Sequence, residues 1–459
     1  MATSVTAGLE GFADQDRRLR RAAMTSASSL IARAVNFASL LILVPLAVPY
    51  LGTERYGIWM TLVSLTSFLG VAGLGVGNAL VTLVARGRAG AGDEEVPRYI
   101  STAVALFGGI AAVLALVGAG VIPFLPWGRI FNVPSAAIAD QGGRAAVAVF
   151  VVFLLSMPIG LISQIRLGYQ EGYVAAWFDG AASVVAVLGV AAAIALNMQL
   201  PVIVAAAVAA PLVTGAVNWI LLVRRRPALL PSIAKVDLRH ARILLRSGGL
   251  YFALELAIIV GFSSDNFVAA QVLGPAAVTL YAVPSRLALA GIAVLSAFAM
   301  PLWPAYADAL ARGDVPWVMR ILRRSLIATT AAAVLGATVF VLAGGKIIEV
   351  WSRGKVHPHA SLLIGLGLWL VLGSAGNALA MFLNAAHIVR MQVVCATLMA
   401  VANILLSIAL ARRIGVSGLI WGTVISYSAF VVVPYAFLVP RLVQRMQGGE
   451  DERLAHADT

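Results

Sequence analysis

The sequence predicts an all-α polytopic membrane protein of about 12 transmembrane helices, arranged as two six-helix lobes around a central cavity. Three observations predict it. Hydrophobic residues make up 61% of the chain and charged residues 12%, against roughly 45–50% and about 25% in soluble domains. The mean hydropathy is +0.94, more apolar surface than a water-soluble fold of this length can hide. The apolar residues also gather into runs of about 20, the length that crosses a bilayer as a helix. Backbone groups in lipid must be satisfied within the segment or in a closed barrel, and the absence of strand-like alternation selects helices.

Bounded by Gly, Pro and charged residues, the runs of the first half are 28–50, 56–84, 99–125, 145–165, 177–196 and 201–223. Those of the second half are 250–273, 278–302, 325–343, 361–385, 393–411 and 419–439. The expected organisation is an N-terminal lobe over 1–223, a basic cytoplasmic connector over 224–249 and a C-terminal lobe over 250–459 that ends in a polar tail. The first apolar run is too long for a signal-peptide core and is expected to stay attached as the first helix. Cys395, the lone cysteine, lies inside an apolar run, which excludes a disulfide framework and a thiolate metal site.

The net charge of +13 raises nucleic acid as a partner, but the cations sit between apolar runs rather than in an aromatic-interleaved patch, so no nucleic acid is expected. They read instead as topology signals. Of 33 Lys and Arg, 23 fall in the segments on the N-terminal side of the membrane and 8 in the opposite ones. Cytoplasmic loops carry the excess of cations, so both termini are expected in the cytoplasm. Lys235, Arg239, Arg242 and Arg246 repeat at helical spacing in the connector and predict a surface helix, with Val236, Ile243 and Leu244 facing the headgroup layer.

The two halves echo each other. Leu51-Gly52 closes the first hairpin ahead of Tyr56, and Leu273-Gly274 closes the corresponding hairpin ahead of Tyr281. Two repeats in the same orientation are what a site between lobes requires.

The stretch Val48-Pro49-Tyr50-Leu51-Gly52-Thr53-Glu54-Arg55-Tyr56-Gly57-Ile58-Trp59, followed by Gly73-Leu74-Gly75-Val76-Gly77-Asn78-Ala79-Leu80, resembles the opening helices of the polysaccharide flippases. These belong to the multidrug, oligosaccharidyl-lipid and polysaccharide exporter superfamily. Gly168-Tyr169-Gln170-Glu171-Gly172-Tyr173 is similar to that family's loop after the fourth helix. Ser264-Asp265-Asn266 through Leu273-Gly274 to Tyr281 and Arg286 is similar to its seventh and eighth helices. The resemblance implies a flippase, not an enzyme. It would carry an undecaprenyl-diphosphate-linked sugar or oligosaccharide across a bacterial inner membrane by alternating access, for O-antigen, capsule or exopolysaccharide synthesis. The implied partners are a polyprenyl-diphosphate-linked glycan, the lipid bilayer and polysaccharide assembly proteins. No cofactor is implied beyond a coupling proton or sodium ion.

Charges inside spans cost about 2.5–3.5 kcal/mol each on insertion scales and mark candidate sites. Arg33 shares one helix face with Ser29 and Asn36. It either contacts an anion, for which its planar fork is suited, or snorkels to the surface. Arg286 lies about 12 Å below the outer surface, counted from Val278, and Asp265 stands at the same count from Leu273. The two either pair with each other or line the cavity, with Arg286 on the diphosphate and Asp265 holding it or titrating. Glu255 and Asp265 are the candidate coupling sites. Asp179 reads as a helix N-terminal acid. Ser374, Asn377, Asn384 and His387 form a polar stripe open to interhelical hydrogen bonding or to sugar contact. The histidines are scattered, so neither a catalytic cluster nor a metal site is expected. The competing readings are a multidrug or cation antiporter of the same superfamily, which would favour acids in the cavity, and a membrane-embedded glycosyltransferase or polymerase. The longest outer loop, 126–144, carries one acid, Asp140, which argues against the enzyme.

Overall fold

A computed structural model describes residues 2–70, 76–87, 95–300, 302–386 and 388–441. Some of their side chains, including those of 2–27 and Glu255, lie outside the described set. Most of the described residues are helical, and among them there is no strand. The helices are α1 (Ala2–Gly70), α2 (Val76–Arg86), α3 (Glu95–Val121), α4 (Trp127–Ile130), α5 (Ala136–Gly168), α6 (Gly172–Ala195), α7 (Leu200–Val208) and α8 (Ala210–Arg225). They continue as α9 (Leu238–Leu273), α10 (Pro275–Ala299), α11 (Leu302–Ala311), α12 (Val315–Trp351), α13 (Ala360–Ala385), α14 (Val389–Ile414) and α15 (Ser417–Tyr427). Among the described residues, 10 helical segments are long and apolar enough to cross a membrane. The chain is therefore an all-α multi-pass membrane protein, as its composition requires.

Helix breaks fall where backbone chemistry dictates. Gly52 interrupts α1 with φ 72° and ψ 172°, and Gly274 separates α9 from α10 with φ 90° and ψ 168°. Both dihedral pairs lie in territory open essentially to glycine alone. The Leu-Gly echo in the sequence is thus an echo of backbone shape. The apolar run 201–223 crosses as one segment, Leu200–Arg225, with a local break at Ala209 between α7 and α8 and Pro211 in the first turn of α8. The proline is well placed there, because a first-turn N–H has no helical partner to lose.

The chain forms two compact units. The first contains Met1–Tyr50, Leu69–Trp127 and Ala137–Phe252, and the second contains Leu51–Phe68, Gly128–Ala136 and Ala253–Thr459. The core of the first unit joins Leu80 and Val84 of α2, Ile100 of α3, Leu161 and Ile165 of α5 and Leu222 of α8. Leu244 is also fully buried in this core, so it does not face the headgroup layer as the basic spacing predicts. Arg239, Arg242 and Arg246 open α9 itself, and Lys235 ends a short 3-10 helix ahead of it, so the four cations form no separate surface helix. In the second unit Tyr306, Val318, Leu322 and Phe382 pack α11, α12 and α13 together. Asp314 caps α12 by accepting the Trp317 N–H at 3.0 Å.

Candidate functional site

The second unit encloses a cavity of about 570 Å³, lined from the second arm of α1 and from α9, α10, α13, α14 and α15. The turn at Gly274 folds α10 back along α9. Thr279 donates to the Thr53 carbonyl at 2.6 Å, and Gly57 leaves no room for a side chain against Pro275, so the arm after Gly52 is seated on the start of α10. α15 approaches α14 with the same intimacy. A Cβ on Gly418 would stand 2.3 Å from the Leu410 carbonyl carbon, and one on Gly422 would stand 2.5 Å from Ser407 Oγ. Small residues are what allow such backbone contact between membrane helices. The result brings Thr423 to Asp265.

Asp265 is buried at the cavity wall and is held by neutral donors. Tyr281 Oη donates to its Oδ2 at 2.7 Å, as does Thr423 Oγ1 at 3.0 Å. Asn403 Nδ2 donates to Oδ1 at 3.2 Å. Ser407 Oγ lies 3.4 Å from Oδ1 and has nearer acceptors in Asn403 Oδ1 and the Leu419 carbonyl, both at 3.2 Å. Its single proton therefore serves the network more than the carboxylate. Asn403 is anchored in turn by a bond to the Gly261 carbonyl at 2.9 Å. Both oxygens of the carboxylate are thus satisfied by hydrogen bonds without a cation.

Arg286 lines the same cavity but does not pair with Asp265. Its Nη2 lies 2.9 Å from Met60 Sδ, a weak acceptor, and among the described residues it forms no ion pair. The equal-depth count fails because α10 begins at Pro275, ahead of the expected start at Val278. Measured from Gly274, Arg286 is 12 residues along α10 and Asp265 only 9 back along α9, a difference of about 4.5 Å in rise. Tyr281, 7 residues along, is nearer the level of the acid.

The remaining expected site residues divide. Asn377 lines the cavity and donates to Ser296 Oγ. Asn384 does not line it, but accepts from Gln392 Nε2 at 3.0 Å, and Gln392 does. Ser374 is buried and its hydroxyl has no hydrogen-bond partner among the described residues, and His387 lies outside them. Arg33 and Asn36 belong to the first unit, where both side chains are exposed and Ser183 donates to Asn36 Oδ1. Asp179 is two turns into α6, which starts at Gly172, so it is not the helix-end acid that the sequence predicts. Sequence reasoning missed Tyr281, Asn403 and Thr423 as partners of Asp265, and Ser64 and Asn266 as a bonded pair on the cavity wall, 2.9 Å apart.

The first unit holds a charged cluster of its own. Glu171, between α5 and α6, accepts from Arg166 and Arg226. The Arg166 side chain is 4% exposed and also donates to Asn218 Oδ1 at 3.0 Å. Arg226 stacks over Tyr169, 4.3 Å from the ring centroid. Burial alone would raise the Glu171 carboxyl, but the two guanidinium groups outweigh it and hold the group below its ordinary value. Arg166, which reads as a loop cation in the sequence, is a buried structural one.

The fold is that of the multidrug, oligosaccharidyl-lipid and polysaccharide exporter superfamily. A multidrug resistance transporter of that superfamily, solved in an inward-facing conformation, superposes with a TM-score of 0.78 at 14% identity, over 92% of this chain and 99% of the other. The lipid II flippase MurJ does so with a TM-score of 0.73 at 14% identity, over 91% and 87%. A superfamily transporter from Pyrococcus furiosus, described as having a binding pocket of reversed polarity, gives 0.62 at 14% identity, over 94% and 96%. No curated protein sequence matches the chain. The sequence profile of the family described as "polysaccharide biosynthesis protein" matches residues 22–309, more than half of the 459 residues, and the chain belongs to that family.

Proposed function

We propose that the protein is a flippase that carries an undecaprenyl-diphosphate-linked sugar or oligosaccharide across a bacterial inner membrane, with both termini in the cytoplasm. The observation that carries this reading is Arg286. It reaches a cavity of about 570 Å³ without a carboxylate partner among the described residues, while the cavity's own acid is engaged elsewhere. A fixed cation offering a bidentate fork, beside neutral hydroxyl and amide groups, suits a diphosphate and a glycan. The lipid tail can stay in the bilayer while the polar head moves through the protein. Residues 1–223 and 250–459 are the two lobes of this reading, which alternate in exposing the head to each side.

Membership of the polysaccharide biosynthesis family supports a lipid-linked glycan. Asp265 is the proposed coupling site for a proton or sodium ion, with Glu255 as a second acid on the same helix. The Asp265 network equally favours a cation-coupled exporter, and the two readings part at the arginine. At matched membrane abundance, Arg286→Lys should impair complementation of a flippase-deficient strain and Arg286→Ala should abolish it, even alongside Asp265→Ala. Normal complementation by the Arg286→Ala, Asp265→Ala double variant would place the diphosphate elsewhere, with Arg33 and Asn36 next to test. Loss of drug efflux with glycan export intact would favour the exporter.

A further inference from the structure

The first unit carries a second concavity that transport through the cavity at Arg286 does not explain. It is a groove of about 520 Å³ between α3 and the entry to α9, walled by Ala105, Gly109 and Val113 on one side and by Val236, Leu238 and Ala241 on the other. Thr102 closes one end, its hydroxyl oxygen accepting the Asp237 N–H at 3.2 Å. Every other residue that lines the groove is apolar. Its α3 residues run from Thr102 to Leu114, about 18 Å along the helix axis and so more than half of a hydrocarbon core of about 30 Å. Gly109 is the notch that opens it, since a side chain there would meet nothing within 4 Å.

The entry to α9 is pinned. The Ser232 N–H donates to Ser101 Oγ at 3.2 Å, and His240 packs edge-on against Tyr99 with ring centroids 4.3 Å apart. The groove is thus a built feature rather than a gap beside a loose loop. Cations stand at its mouth. Arg98 lies four residues before Thr102 and Arg242 four after Leu238, so each continues a groove-lining stripe by one helical turn. Both side chains are exposed, and among the described residues neither forms an ion pair. Among the described residues, the acids nearby are Glu95, which is exposed, and Asp237, which accepts the Arg239 N–H at 2.8 Å and lies 3.1 Å from His240 Nδ1. Lys235 is turned to the Ala228 carbonyl.

We propose that this groove binds one acyl chain of an anionic glycerophospholipid, whose phosphate sits between Arg98 and Arg242. The partner is identified by chemistry: an apolar slot about 18 Å long for the chain, and for the anion two exposed guanidinium groups that form no ion pair among the described residues. The site uses residues of the first unit alone and holds whatever substrate the second unit's cavity takes.

The test uses the full-length protein reconstituted in nanodiscs of phosphatidylglycerol or of phosphatidylcholine with the same chains, with retained lipid counted by native mass spectrometry. Phosphatidylglycerol should be retained over phosphatidylcholine by more than tenfold, since each basic residue near the surface contributes about fivefold. Arg98→Gln with Arg242→Gln, both exposed and safe for folding, should reduce that preference to near unity. Gly109→Trp, filling the notch, should remove retention of both lipids. The proposal is overturned if Gly109→Trp retains phosphatidylglycerol like the parent, if the arginine pair leaves the preference unchanged, or if undecaprenyl phosphate displaces the phospholipid, which would make the groove a polyprenyl site.

Discussion

Tyr281 donates its hydroxyl to Asp265 Oδ2 at 2.7 Å across the turn at Gly274, the shortest of the bonds that hold this acid. It is a neutral donor where the sequence offered a cation.

Removing that donor leaves Asp265 buried and under-satisfied, which costs about 1–3 kcal/mol. Tyr281→Phe should lower the melting temperature of the protein in detergent, and Thr423→Val should act in the same direction. Because both donate to Oδ2, the double variant should deviate from additivity by at least about 0.5 kcal/mol. Strict additivity would mean that the two bonds stabilise the fold independently.

Arg286 and Met60 offer a control on the proposed site. The sulfur is a weak acceptor, so Met60→Leu should change stability by under about 1.5 kcal/mol and leave transport intact. A Met60→Leu variant that loses transport as fully as Arg286→Ala would show that the arginine's main task is local packing.

Which parts of this were legible in the sequence follows from how local each signal is. Gly52 and Gly274 announce their turns because glycine's dihedral freedom is written at the residue itself. The partners of Asp265 are not, since Asn403 and Thr423 lie 138 and 158 residues away in runs read as apolar. A depth count places residues on a level but says nothing of rotation about the helix. Tyr281 and Arg286, five residues apart, point about 140° from each other, and only one of them can face α9. Arg166 was hidden differently. Positioned at the end of an apolar run, it reads as a topology cation, although Glu171 five residues on was the available hint of an ion pair.

Glu171 gives a pH dependence whose direction follows from its environment. Its folded carboxyl is held below the ordinary value by Arg166 and Arg226 against the cost of burial, so it binds a proton more readily in the unfolded chain. Its stabilisation is fully present above the unfolded carboxyl value of about 4.3 and is lost as pH falls through the lower folded value. Glu171→Gln should destabilise the protein at neutral pH by about 3–5 kcal/mol, because Arg166 is left buried and uncompensated. The difference in melting temperature between parent and variant should shrink on acidification. A difference constant from neutral pH to below the folded value would remove Glu171 as the titrating group.

Gly422→Ala should be costly, with its Cβ falling 2.5 Å from Ser407 Oγ and 2.8 Å from Ser407 N. Overpacking of this kind costs about 1–3 kcal/mol, and displacement of α15 would also draw Thr423 from Asp265. Gly108→Ala, where nothing lies within 4 Å, should be neutral or stabilising by up to about 1 kcal/mol. Equal melting temperatures for the two variants would contradict the close approach of α14 and α15.

The membership of residues 51–68 in the second unit sets a schedule for biosynthesis. That segment leaves the ribosome early, yet its seat against Pro275 and Thr279 is encoded about 200 residues later, which at translation rates of about 5–20 residues per second is a wait of about 10–40 s. During that interval the arm stands without its own partner. The second unit is therefore discontinuous in the gene, and a C-terminal half made alone would lack one wall of its cavity until the N-terminal half were supplied in trans.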